Sequence, residues 1–458
     1  MAYRNKIVFV VVFLYLFIIC PNSFSQGTTS TDANLTLAGT ILIAFGNNKD
    51  IQMQEAEIAI ASANIQGAIS PFLPQINFQA AYAHNDKVLA QNIFSGYGND
   101  NLAKIALSES IYSGGANMAN FKQAKLSLDV QQETLRAKKM NVEFDAKRLY
   151  YGLLLAYETQ RIARDALDQA IAHYEDVRQM YKHGTASRFD LLQSGVQVSL
   201  LEPNVVKAKN EIDSLKADLN KLLGRKVDFP ITIDEKLSYS FIGIKENEFL
   251  KTAYLRRPEM KLKSLGIDID KWEIQMAKSG YRPTVDFLGS ISYRSNNLGN
   301  MFNRRQQNWN AGISVNIPIF EGFSTKAKVD AARARYAQAK IDKDNLIDTI
   351  AVEVRKACLN LKEATSIIQS QKDNVQEAKE ALRIAEVSYQ NGVAINLDVL
   401  DSQVSLAQIQ TNLASGIYDY LMALAYLDRS IGKLTLDAYV RPAGGPALRY
   451  GEKNEKKS

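Results

Sequence analysis

Tyr389-Gln-Asn-Gly392-Val393-Ala-Ile-Asn396-Leu-Asp398-Val-Leu400-Asp401-Ser402 echoes an earlier stretch, Tyr181-Lys-His183-Gly184-Thr185-Ala-Ser187-Arg188-Phe189-Asp190-Leu-Leu192-Gln193-Ser194. Gly392 follows Gly184 by 208 residues, and Asp398 follows Asp190 by the same 208. Each copy lies between two long apolar-periodic runs, so each reads as the turn of a helical hairpin. Gly184 and Gly392 fall where the incoming helix must reverse, a left-handed position that glycine occupies without a Cβ penalty. Ser187 and Asp190 have the capping-box spacing, and Asn396 is expected to cap the second return helix.

The register extends along both arms, which two unrelated helix ends would not do. Leu167, Ala170, Tyr174, Val177 and Tyr181 step by three and four, and Val375, Ala378, Leu382, Ala385 and Tyr389 answer them. Past the turns, Phe189, Leu192, Val196 and Ser199 correspond to Leu397, Leu400, Val404 and Ala407. These are heptad seams of antiparallel coiled coils. The arms end alike, at Leu223-Gly224 and Ile431-Gly432, so the chain carries an internal two-fold repeat.

Composition sets few further bounds. With 458 residues, 46% hydrophobic and 23% charged, the chain has globular composition and enough apolar material for large cores. The net charge of +6 is small, and no basic nucleic-acid face is evident; the Lys-rich tail 449–458 reads as solvated. Arg4 and Lys6 precede an apolar run from Ile7 to Cys20, then Pro21 and small residues, with Ser23 and Ser25 before Gln26. Residues 1–25 therefore read as a secretory signal peptide, with a membrane anchor as the alternative. Cys20 is positioned for lipidation, against which Ile19 is bulky where a small residue belongs. If Cys20 leaves with the signal, Cys358 stands alone and no intrachain disulfide forms.

In chain order, residues 35–70 read as a helix stopped by Pro71 and Pro74, followed by strand-like runs at 75–85 and 101–113 around a polar loop. The second half repeats the plan with strands at 283–295 and 307–320. Trp309, Ala311, Ile313, Val315 and Ile317 alternate with Asn308, Asn310, Gly312, Ser314 and Asn316. An apolar face opposite a small, polar one over about 9–13 residues is the pattern of a transmembrane barrel strand, with Trp309, Ile313, Val315 and Ile317 on the lipid face. A soluble sandwich strand is the alternative. Against it stand the signal peptide, one hairpin per half, and aromatic residues at strand ends (Tyr82, Tyr112, Tyr293, Trp309, Phe320). Four strands cannot close a barrel, and an open edge in lipid leaves backbone groups unsatisfied. Other copies must complete it, and three would supply twelve strands.

The expected organisation is thus repeat 1 at 26–224, a connector of short strands and loops at 225–245, repeat 2 at 246–432, and a segment with a charged tail at 433–458. Each repeat holds a helix of about 70 residues and a return arm half as long. Pro203 in the first return arm predicts a kink or local break there. The helix 246–279 is expected to stack on the first return arm and 35–70 on the second.

This duplicated plan resembles the TolC-type outer-membrane efflux channels over residues 26–440. The most specific part is Tyr389-x-x-Gly392-x-x-x-x-x-Asp398-Val-Leu-Asp401 with its echo Tyr181-x-x-Gly184-x-x-x-x-x-Asp190. The resemblance implies a mixed membrane fold, in which a homotrimer forms a twelve-stranded barrel in outer-membrane lipid continuous with a periplasmic tunnel of coiled-coil hairpins. It also implies partners: a periplasmic adaptor (a membrane fusion protein) and an inner-membrane pump of the RND or ABC type. By resemblance Gly184, Thr185, Gly392 and Val393 would form the adaptor-docking tip, and Asp398 and Asp401 would line the pore constriction. Residues three apart share a helix face, so two rings of carboxylates are feasible. First-turn acids complementing the helix dipole are the alternative, which also accounts for Asp190. The family ties its tip shut through a Tyr, an Arg and an Asp. Tyr389 and Asp190 match, but Ala394 stands where the Arg belongs, so Arg188 is expected to make a substitute tie to a neighbouring acid.

No enzyme is expected. His84, His173 and His183 have no metal-ligand spacing, no phosphate-binding glycine motif is present, and no cofactor is implied. The function read here is the exit channel of a tripartite efflux or type I secretion system. A periplasmic coiled-coil structural or adaptor protein without a barrel is the alternative.

Overall fold

The computed structural model describes residues 35–84 and 99–434, so the signal-peptide reading, the loop 85–98 and the tail 435–458 lie outside the described residues. The chain order is α1 (Leu37–Asn47), α2 (Lys49–Ile69), β1 (Gln75–His84), β2 (Asn99–Ser113), α3 (Ala116–Lys182), α4 (Arg188–Leu222), α5 (Glu246–Arg256), α6 (Pro258–Ser279), β3 (Thr284–Ser295), β4 (Gln307–Asn316), α7 (Ser324–Gln390) and α8 (Asn396–Ser430). The long helices α3 and α7 both have 67 residues, and the return helices α4 and α8 both have 35. At 1.5 Å per residue the long pair spans about 100 Å.

The four strands form one antiparallel sheet in the order β1-β2-β3-β4. Cross-strand pairing aligns the apolar positions in rows on one face: Phe78, Ile105, Ile291 and Trp309 in one, Ile76, Leu107, Gly289 and Ala311 in the next. The opposite face carries Gln79, Lys104, Ser292 and Asn308, then Asn77, Ala106, Ser290 and Asn310. A bulge between Ser110 and Tyr112 puts Tyr112 opposite Val285, so Ile111 leaves the alternation that the sequence suggests. β4 ends at Asn316 rather than 320, because Pro318 cannot donate to a ladder. Ile317 therefore lies one residue beyond the strand.

Elsewhere the structure departs from sequence expectation for local reasons. The segments 35–70 and 246–279 are each two helices. Asn48 breaks the first by turning its Oδ1 to the N–H groups of Asp50 (2.9 Å) and Ile51 (3.3 Å); Pro258 breaks the second by holding Arg257 extended. α4 runs through Pro203 without a break, since Pro203 and Ser199, whose carbonyl loses its helical donor, are both exposed residues. The connector 225–245 begins with a turn at 227–228 and holds a single bridge residue, Thr232, in place of the short strands expected, and it straps over the second repeat: the Tyr420 hydroxyl donates to Ser240 O (2.8 Å) and accepts from Ile242 N–H (3.1 Å).

The stacking of the upper helices is the reverse of that expected. Asn48 Nδ2 donates to the Leu222 carbonyl at 3.1 Å, which sets 35–70 above the first return helix. Gly432 closes on Arg256, setting 246–279 above the second. Each return helix thus ends in a glycine tucked beneath its own repeat's broken helix. The heptad seams are also rotated. Ala170, Val177, Ala378, Leu382 and Tyr389 are buried as a seam requires, but Phe189 is 71% exposed, with Leu192, Val196 and Leu200 exposed in line with it. On α8 the buried row is Asn396, Val399, Gln403 and Leu406, while Leu397 and Val404 face outward.

Gly392 has φ 71° and open space around a built Cβ; Gly432 has φ 72°, and its Cβ would stand 2.7 Å from the Arg256 carbonyl carbon. Gly392→Ala is expected to cost about 1–2 kcal/mol for the left-handed backbone. Gly432→Ala costs more because backbone must also move, a difference read as the gap between the variants' thermal unfolding temperatures in detergent.

Candidate functional site

The two hairpin turns are built identically at the backbone. Thr185 N–H donates to Met180 O (2.9 Å) and Gly184 N–H to Tyr181 O (3.0 Å), with Gly184 at φ 78°. Val393 N–H donates to Ser388 O (2.9 Å) and Gly392 N–H to Tyr389 O (3.0 Å). This paired bonding closes the last helical carbonyls and reverses the chain. Gly184, Thr185, Gly392 and Val393 are all exposed at the extremity of the hairpins.

The return helices start differently. In the first, Ser187 Oγ accepts from Asp190 N–H (3.0 Å), and the Asp190 carboxylate accepts from both Ser187 N–H (3.1 Å) and Ser187 Oγ–H (2.7 Å). In the second, Ile395 stands at the cap, and the Asp398 carboxylate accepts only its N–H, at 3.1 Å. Asn396 is not the cap. It is the first helical residue, 2% exposed, and its amide is turned towards the other hairpin. Asp401 is exposed and makes no hydrogen bond or ion pair among the described residues. Asp398 thus serves the helix start, whereas Asp401 is uncommitted within the chain.

Asn396 donates Nδ2–H to Gln193 Oε1 (3.0 Å), leaving its Oδ1 to accept from His173 Nε2–H at 2.7 Å. This chain links α3, α4 and α8. Sequence reading missed it, although His173 lies on the buried face between Ala170 and Val177, and Asn396 corresponds to the exposed Arg188. The His173 ring stands edge-on to Tyr389 at 5.4 Å. Burial, and then the nearby Asp190 carboxylate, push the Tyr389 phenol above its ordinary range. It is therefore a neutral hydroxyl, buried and without a hydrogen-bond partner among the described residues. Arg188 makes no ion pair among them. Tyr389 and Asp190 are brought together without a direct bond, and Arg188 is exposed.

The hairpins are fastened again nearer the sheet, where Lys147 Nζ lies 2.9 Å from Glu143 Oε1 and 3.2 Å from Asp428 Oδ2 in a largely buried cluster between α3 and α8. Between the two fastenings runs a groove of about 580 Å³ lined by Leu154, Tyr157, Arg161, Lys379, Leu413 and Ile417. No cluster of metal-binding side chains and no membrane-crossing helix occurs among the described residues.

The sequence pattern of a family described as outer membrane efflux protein matches residues 41–225 and 249–433. The outer membrane protein TolC of Escherichia coli K12 is 22% identical over 85% of this chain and 80% of its own length. The proteases secretion protein PrtF of Dickeya chrysanthemi is 20% identical over 83% of each. The solved structure of the outer membrane protein VceC from Vibrio cholerae has a TM-score of 0.75 at 19% identity, covering 87% of this chain and 96% of that one, which makes it the same fold.

Asn396→Ala leaves His173 N–H and Gln193 Oε1 without partners in a buried site and is expected to destabilise the fold by about 1–3 kcal/mol in denaturant unfolding. Asn391→Ala, which removes an exposed bond to Val387 O, stays close to wild type.

Proposed function

The chain belongs to the outer membrane efflux protein family, and from that premise we propose that three copies form the exit duct of a tripartite exporter. It is a conduit rather than an enzyme, held in the cell outer membrane with a long periplasmic helical extension. The observation that carries the reading is the sheet: four strands of 10 to 15 residues whose apolar rows lie on one face, flanked by the unpaired edges of β1 and β4. Trp309, Ile313 and Val315 face lipid on this reading, with Ile317 just past the strand. Sheet edges cannot stay open in a bilayer, and pairing β4 of one copy with β1 of the next closes twelve antiparallel strands. The exposed stripe Phe189, Leu192, Val196 and Leu200 supports the same assembly, since a helix whose apolar face exceeds its own hairpin's seam has room for a second neighbour.

In this arrangement the boundaries 26–224 and 246–432 delimit two quasi-equivalent sixths of a duct wall that the strap 225–245 binds together, and the two turns form the periplasmic tip. Gly184, Thr185, Gly392 and Val393 are offered there to a periplasmic adaptor, which couples the duct to an inner-membrane pump of the RND or ABC type. Asp401 lines the narrow entrance as a ring of three carboxylates, with Asp398 beside it holding the start of α8. Tyr389 and Asp190 belong to the closure of the tip, and Arg188 reaches an acid on a neighbouring copy. Export of small molecules and of proteins would use the same duct, because cargo is chosen by the pump.

Single-channel recording of the mature protein in a planar bilayer tests the reading. A trimeric, cation-selective pore is expected. Asp401→Asn should lower its selectivity for cations and leave stability unchanged, while Asp398→Asn also lowers stability, by about 0.5–1 kcal/mol for the weakened cap. A well-folded oligomer that never inserts would instead support a periplasmic coiled-coil protein.

A further inference from the structure

In the first repeat, the corner where β2 turns into α3 is tightly packed. A Cβ on Gly114 would stand 2.8 Å from Ser279 O and 3.1 Å from Arg282 Cβ, and Arg282 Nη1 donates to Gly114 O at 3.2 Å. The neighbour that fills this corner is the junction of α6 with β3, from the other repeat. The matching corner of the second repeat, where β4 leads into α7, has Gly322 in the place of Gly114 and Phe323 in the place of Gly115, each 208 residues on. Nothing lies within 4 Å of a Cβ built on Gly322.

Phe323 is the only non-glycine residue with positive φ among the described residues, at 66°. A bulky aromatic in that region is strained, and its repeat partner Gly115 adopts the same hand freely at φ 95°. Yet Phe323 is 70% exposed, edge-on to Phe320 at 5.5 Å, with Ile319 and Phe320 exposed beside it. Within one chain the strained turn holds these apolar groups on the open rim of a groove that Gly280 and Tyr281 also line.

The helices identify the missing neighbour. α6 packs on both long helices, α3 and α7, whereas its repeat counterpart α2 packs closely on α3 alone among them. α2 leads to Phe72, 39% exposed and edge-on to Phe121 of α3 at 6.4 Å, and to the more exposed Leu73, just before the unpaired β1 edge. Leu73-Pro74 precedes β1 as Arg282-Pro283 precedes β3. Carrying the observed contact round by one repeat therefore sets the α2–β1 corner of a second copy against Gly322 and Phe323.

We propose that Ile319, Phe320 and Phe323 form an apolar knuckle between copies of this chain, seated on Phe72 and Leu73 of the next protomer beside the β4-to-β1 pairing. The inference rests on the threefold assembly above and adds the side chains that lock it. Contact inside the chain is polar and glycine-tight, through Arg282; contact between chains is aromatic. The strain at Phe323 is retained because assembly buries the ring.

The test is the temperature at which detergent-solubilised trimers dissociate, read on gels of unboiled samples, for wild type and Phe323→Gly. Phe323→Gly relieves the strained backbone and removes the ring, so the knuckle requires dissociation at a lower temperature than wild type, with Phe323→Leu in between. In parallel, Gly322→Cys combined with Leu73→Cys should give covalent dimers and trimers on mild oxidation, and neither single cysteine should. Phe323→Gly trimers as heat-resistant as wild type, with no covalent ladder, would overturn the knuckle and leave the aromatics to the lipid interface. A wild-type chain that is monomeric in detergent would overturn the assembly itself, a separate result.

Discussion

An antiparallel sheet in a bilayer has no water to satisfy the backbone groups along its edges. The architecture of this chain follows from that constraint. Four strands present two such edges and one face that is largely apolar, interrupted by Glu109 beside Phe287 and by Gln307 beside Tyr293, so the chain is a segment of a wall rather than a finished object. The helices repeat the theme. Each long helix is covered by its own return helix on one side, and the first return helix leaves apolar side chains such as Phe189 and Leu192 exposed on another.

The internal repeat explains how one chain can be both a segment and a folded unit. Contacts between repeats within the chain join an apolar cluster at the tip, Val177 with Leu382, Tyr389 and Val399, to polar and small groups: Arg282 on Gly114, Lys147 with Glu143 and Asp428, and His173 with Asn396. Such contacts can form during folding without a partner. The corresponding positions at the chain's outer margins are Phe323, Arg188 and the Phe189 stripe, which are larger, apolar or charged. Duplication supplied the geometry, and divergence separated permanent joints from those completed by another copy.

At the tip, identical backbone turns carry different side-chain duties. Asp190 is fully engaged with Ser187, while Asp398 has only one N–H to accept because Ile395 replaces the serine. Asn396, freed from capping, joins the hairpins by a buried hydrogen-bond chain beside Tyr389, whose buried hydroxyl has no partner among the described residues. A buried hydrogen-bond chain of this kind fixes the relative rotation of the helices more strictly than an exposed ion pair, since its bonds are directional and shielded from water.

From the sequence alone came the hairpin tips, the long and short helices, and the lipid-like face of the strands. These depend on periodicities of 3.6 and 2 residues and on single glycines with positive φ, all of which act within a few residues. Which apolar stripe lies inside the chain, which return helix supports which broken helix, and why Asn396 leaves the cap were decided only by the tertiary structure. Each depends on a neighbour far away in sequence: His173 and Gln193 for Asn396, Asn47 for Gly224, Arg256 for Gly432. Periodicity tells a helix that it has a buried face, and only the surrounding helices determine what covers it.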